Sequence, residues 1–124
     1  MNADDRLTQI ESMMVGDTHP LDLVTIRATV DRALQVRRSS IPPHKEIFEL
    51  ASTLRGHLAV MVDEVEARRD ALTSRTYDWH QWNTLSDRAR TDLKRSAGDG
   101  LVSALEHMQE IARTCEHIVN LLSE

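Results

Sequence analysis

Between Asp22 and Leu122, apolar residues recur every three or four positions in four blocks, separated by short runs rich in Pro, Gly, Ser and Asp. That spacing is the period of a helix with one buried face, not the alternation of a strand. It predicts an all-α fold, an antiparallel bundle of three to four helices. In the first block Asp22 stands as N-cap before Leu23, Ile26, Val30, Ala33 and Leu34, which share one face. Arg37 and Arg38 are assigned to its last turn, where cations suit the helix dipole, and Ser39 to Pro43 end it. The second helix is the longest. It runs from Pro43 to Leu72 and spans about 45 Å at 1.5 Å per residue. Its stripe is Ile47, Leu50, Leu54, Leu58, Met61, Val65 and Leu72. The third helix is expected to start at Asp78, with Gln81 completing a cap-like pair, and to bury Trp82, Leu85, Ala89, Leu93 and Ser96. Gly98-Asp99-Gly100 stops it, and the fourth helix begins near Asp99. Leu101, Leu105, Met108, Ala112, Cys115, Val119 and Leu122 form the stripe of that last helix, and Ala104, Ile111 and Ile118 widen it.

Residues 1–20 read as a flexible N-terminal arm, and residues 21–124 as the helical bundle domain. In the arm, Leu7, Ile10 and Met13 or Met14 make one amphipathic turn before Gly16 to Pro20 break it. The connections between the later blocks are short, so neighbouring helices should be antiparallel. Helix one is about half as long as helix two. It either lies across a compact bundle of the other three or completes a regular four-helix bundle.

The face of helix two opposite its stripe carries Ser52, Gly56, Ala59, Val60 and Ala67. A glycine inside a helix costs about 1 kcal/mol relative to alanine, and close approach of another backbone is one thing that offsets it. This face is therefore a candidate self-association surface, covered by helix one or by a second copy. Glu49 and Asp63 on the same side are what a plainly solvated face would carry.

Composition narrows the function. At 124 residues the chain is one domain, with a net charge of −5 and only 3% aromatic residues. A broad nucleic-acid or anionic-membrane surface does not fit that charge, and no apolar run approaches the ~20 residues that cross a bilayer. One cysteine, Cys115, allows no internal disulfide, and the acidic start lacks the apolar core of a signal peptide, so a cytoplasmic location is expected. The charge is unevenly spread: residues 44–73 sum to −2, residues 75–97 to +2 and residues 98–124 to −4. A basic helix between two acidic ones suggests complementarity inside the bundle.

No arrangement of reactive side chains emerges. None of the six histidines has another four residues away or a glutamate three residues before it, the spacings that a helical metal site requires. There is no nucleophile elbow and no phosphate-cradling glycine pattern. No catalytic residue, cofactor or metal is therefore assigned. One cluster stands out: Tyr77, Trp79 and Trp82 are three of the four aromatics, with His80 among them and Arg75 beside them. It reads either as an apolar plug at one end of the bundle or as a recognition patch of Arg75, Tyr77, Trp79 and His80, since Trp and Tyr dominate binding hot spots.

The segment LDLVTIRATVDRAL, then Leu54-Arg55-Gly56-His57-Leu58 followed by VDEVEA, the Trp-bearing start of helix three and GDGLVSALEHMQEIARTC together resemble a family of small actinobacterial proteins. That family carries a domain of unknown function and the label of natural product biosynthesis protein. The resemblance implies a setting in the secondary metabolism of Streptomyces-like bacteria. It brings no activity and no catalytic residues, but directs attention to Arg55-Gly56-His57 and to Trp79–Trp82. Two function classes follow. The first is a non-enzymatic protein–protein interaction module, an adaptor or regulator that self-associates, most simply as a homodimer. The alternative is a small-molecule binder with a pocket between helices lined by Leu54, His57, Met61, Trp82, Met108 and Cys115.

Overall fold

A computed structural model describes residues 21–98 and 100–124. The arm expected over residues 1–20 and the helix start expected near Asp99 lie outside the described residues. Four helices follow in order: α1 (Leu23–Leu34), α2 (His44–Asp70), α3 (Tyr77–Lys94) and α4 (Leu101–Leu122). They are the four blocks of the hydrophobic pattern, and α2 is the longest.

Side-chain bonds between helices fix their directions. Arg69 donates to Asn83, Ser86 to Glu66, and Arg55 to the Leu93 carbonyl, so residue numbers fall on α3 as they rise on α2. Arg27 to Asn120 and Gln109 to the Ala33 carbonyl show the same opposition between α1 and α4. Asp92 with Thr114 and Arg95 with Glu110 show it between α3 and α4. The bundle therefore runs up, down, up, down. The two parallel helices, α2 and α4, pack along the central diagonal, with α3 against α2 on one flank and α1 against α4 on the other. Helix α1 thus completes the bundle.

The core is aliphatic, as the scarcity of aromatics requires. Ile26, Val30 and Ala33 of α1 meet Ile47, Leu54, Leu58, Met61, Val62 and Val65 of α2, Leu85 and Ala89 of α3, and the stripe of α4. Most of these side chains are fully enclosed. Burying each Val, Leu, Ile or Met side chain contributes roughly 1.5–3 kcal/mol.

The helix ends depart from the sequence expectations in four places. Helix α1 stops at Leu34, so Arg37 and Arg38 lie beyond it in a turn closed by Arg37 and Ser40. The cause is Gln109 of α4, whose amide donates to the carbonyls of Ala33 (3.2 Å) and Val36 (2.8 Å). The N-cap of α3 lies two residues earlier than expected: it is Thr76, not Asp78, and it accepts the Trp79 amide at 3.3 Å. Helix α3 also ends early, at Lys94, so Ser96 is exposed rather than on the core face. Leu72 falls past the end of α2 and is half-buried. Asp22 caps α1 as the sequence suggests, accepting from the Thr25 amide and hydroxyl. At Gly100 the chain turns into α4 with φ of 93°, a left-handed conformation that a side chain would strain.

Candidate functional site

The polar residues that carry chemistry divide into those consumed in holding helices together and those left in water. Arg55 belongs to the first group. Its guanidinium donates to the carbonyls of Asp92 (3.3 Å), Leu93 and Arg95 (3.1 Å), the free carbonyls at the end of α3. This clamp is why α3 ends at Lys94, with Arg95 already extended. His57, two residues on, lies against Thr29 of α1 at 3.3 Å. Burial lowers its pKa, opposed by the Asp22 carboxylate. The Arg55-Gly56-His57 segment is thus a fastener that reaches α3 on one side and α1 on the other.

Next to the Arg55 clamp, Asp92 is buried, and its carboxylate accepts from Thr114 of α4 at 2.5 Å. Arg95 approaches the other carboxylate oxygen at 3.9 Å and Glu110 at 3.4 Å. His107 lies in the same field; burial lowers its pKa most, with Arg55 and Arg95 adding to the effect. Further along the α2–α3 seam, Arg90 holds Glu66 at 2.6 and 3.0 Å while Ser86 donates to it at 2.8 Å. These bonds bring the Glu66 carboxyl down to about 2. Arg90 of α3 and Arg95 just past its end are thus paired with carboxylates of α2 and α4 within one chain. The Cys115 thiol faces the Leu54 carbonyl in the core, and burial pushes it up to about 12, so it is no nucleophile. Among the described residues, no group of three His, Cys, Asp or Glu side chains is placed to hold a metal ion.

The six residues expected to line a pocket do not form one surface. Leu54, Met61, Met108 and Cys115 are sealed in the core, Trp82 packs on its edge with Arg68 over its ring at 5.8 Å, and His57 turns toward α1. A concavity of about 320 Å³ opens elsewhere, between the end of α1 and the start of α2, walled by Arg32, Val36, Glu46, Ile47 and Leu50.

Besides Val24 on α1 and Val102 on α4, large apolar side chains are exposed in the two places that the sequence singles out. At the turn between α2 and α3, Tyr77 is 81% exposed and His80 is exposed, while Trp79 is half-buried with its ring edge-on to His80 at 5.1 Å. Arg75 stands beside them in a left-handed conformation, φ 68°. The cluster is therefore split: Trp82 and part of Trp79 serve the bundle, and Tyr77 and His80 do not. On α2, Ser52, Gly56, Ala59, Val60 and Ala67 are all exposed, and helix one does not cover them. Nothing lies within 4 Å of the position that a Cβ on Gly56 would take. Phe48, at 64% exposure, joins Val60, at 56%, on this face. The sequence reading leaves Phe48 unplaced, although 100° steps from Ile47 would put it on the outer side of α2.

No helix among the described residues is long and apolar enough to cross a membrane. The chain belongs to the family of unknown function DUF6415, whose pattern matches residues 24–124, all four helices. No curated protein matches the chain, and no solved structure does.

Proposed function

We propose that this member of the DUF6415 family is a non-enzymatic protein-interaction module that pairs with itself through the outer face of α2 and meets a protein partner with Arg75, Tyr77, Trp79 and His80. One observation carries the reading. The reactive side chains that are buried are spent on helix fastening, whereas Phe48, Val60 and Tyr77 stay in water beside a filled core. Phe48 and Val60 both lie on the outer side of α2, where their exposed apolar surface supports contact with a second chain. Gly56 adds a place where a second backbone can come close. The setting we propose, secondary metabolism in the cytoplasm of an actinobacterium, rests on the sequence resemblance.

Gly56→Arg tests the pairing with opposite signs. Replacing an exposed mid-helix glycine should stabilise the fold by up to about 1 kcal/mol, because arginine is a better helix former. The same side chain blocks close approach. Light scattering on a sizing column should show wild-type dimers and a monomeric variant with a raised melting temperature. A wild-type monomer at all concentrations would remove the self-pairing half of the proposal. Affinity capture from the native host tests the other half: Tyr77→Ala with His80→Ala should lose the partner while melting stays unchanged.

A further inference from the structure

On the outer face of α2 the exposed residues are arranged to match a reversed copy of themselves. Lys45, Ser52, Gly56 and Asp63 lie within about 40° of one line along the helix, at 100° per residue. Phe48 and Ala59 lie together on one side of that line, Glu49 and Val60 on the other. All eight are exposed. A twofold axis perpendicular to α2 sets like side against like side in two antiparallel helices.

We infer that two copies pair through α2 in one antiparallel register, with Ser52 of each copy facing Gly56 of the other. The inference rests on the self-pairing proposed above and specifies its geometry. In this register the position numbers of facing residues sum to about 108. Two small residues meet at the centre, which allows the backbones to approach. Phe48, the largest exposed side chain on the face, lies over Ala59 of the second copy, so large meets small. The stem of Glu49 lies beside Val60 of the second copy. At each end Lys45 reaches Asp63 of the second copy. The Asp63 side chain is 79% exposed although Arg90 of its own chain touches it at 3.4 Å, which leaves it open to a second cation. The parallel alternative sets Lys45 against Lys45 and Asp63 against Asp63, so charge selects the antiparallel arrangement.

Charge exchange tests the register. Lys45→Asp should weaken the dimer by about tenfold or more, since it places like charges together at both ends. Lys45→Asp with Asp63→Lys should restore it. A wild-type dimer indifferent to Lys45→Asp, or a double variant as weak as the single one, overturns the register while leaving self-pairing intact. A wild-type monomer overturns both. A second measurement does not depend on charge. Spin labels at Ala67 should be about 40 Å apart along the helix axis in this register, from 1.5 Å per residue. A separation below roughly 20 Å would mean a parallel pair and would also refute it.

Discussion

The two ends of α3 are built for different purposes. At its C-terminal end three carbonyls are taken by Arg55, and the buried Asp92 carboxylate is taken by Thr114. At its N-terminal end the local chain satisfies itself. Thr76 accepts the Trp79 amide and donates to the Thr73 carbonyl, and Tyr77 and His80 extend into water. Polar and reactive side chains therefore separate by context. Arg55, His57 and Asp92 bond across helices and Cys115 fills the core, whereas Tyr77 and His80 extend past the core that Trp82 and part of Trp79 help to cover.

The sharpest way to break this contrast is Asp92→Ala. A hydrogen bond to a charged group is worth about 1.5–3 kcal/mol, and this one is buried, so urea unfolding should lose about that much stability. Asp92→Asn should recover part of it. Arg55→Ala should cost less, about 1–2 kcal/mol, because the guanidinium is only half-buried and water can reach some of the carbonyls it leaves. Its specific mark is local. Amide exchange in the last turn of α3 should rise more than in α2, and an equal rise throughout would mean that Arg55 acts by packing alone.

The four helices and nearly the whole core were legible because both depend on a local period of 3.6 residues, which the residues display without reference to the rest of the chain. Helix ends were legible only where the cap is local. Asp22 could be read because it bonds Thr25 three residues on. The ends of α1 and α3 could not, since Gln109 and Arg55 reach them from 73 and 38 residues away. Thr76 is a local cap too, but Asp78 two residues on ranks as the stronger N-cap residue in general and masks it in the sequence. The Arg55-Gly56-His57 segment is a fastener between helices. Its structural use depends on which helices flank α2, and the pattern of one helix carries no such information.

The pH dependence of stability sharpens the same contrast at lower cost. His57 and His107 both have pKa values below the usual 6.5 in the folded chain, chiefly from burial. Below 6.5 the unfolded chain therefore binds protons more readily than the folded one, and stability falls as pH drops through 6.5 toward the folded values. Replacing both with Gln should flatten the melting temperature between pH 7 and pH 5.5. A second loss should begin below the usual 4.5 of Glu66 and continue toward about 2, because its bonds to Arg90 and Ser86 require the carboxylate. Arg90→Gln should reduce that second loss and leave the first unaltered.

The smallest expected effect is at the free end. Tyr77 is 81% exposed, and its side chain has little packing to lose, so Tyr77→Ala should shift stability by no more than about 0.5 kcal/mol. His80→Ala gives up one edge contact with Trp79 and should lie in the same range. Trp79→Ala should cost more than either, because part of its ring is buried. Calorimetry on the three variants ranks them directly. If Tyr77→Ala lowered the melting temperature as much as Asp92→Ala, the aromatic end would be part of the scaffold after all, and the surface offered to a partner would have to be sought on α2 alone.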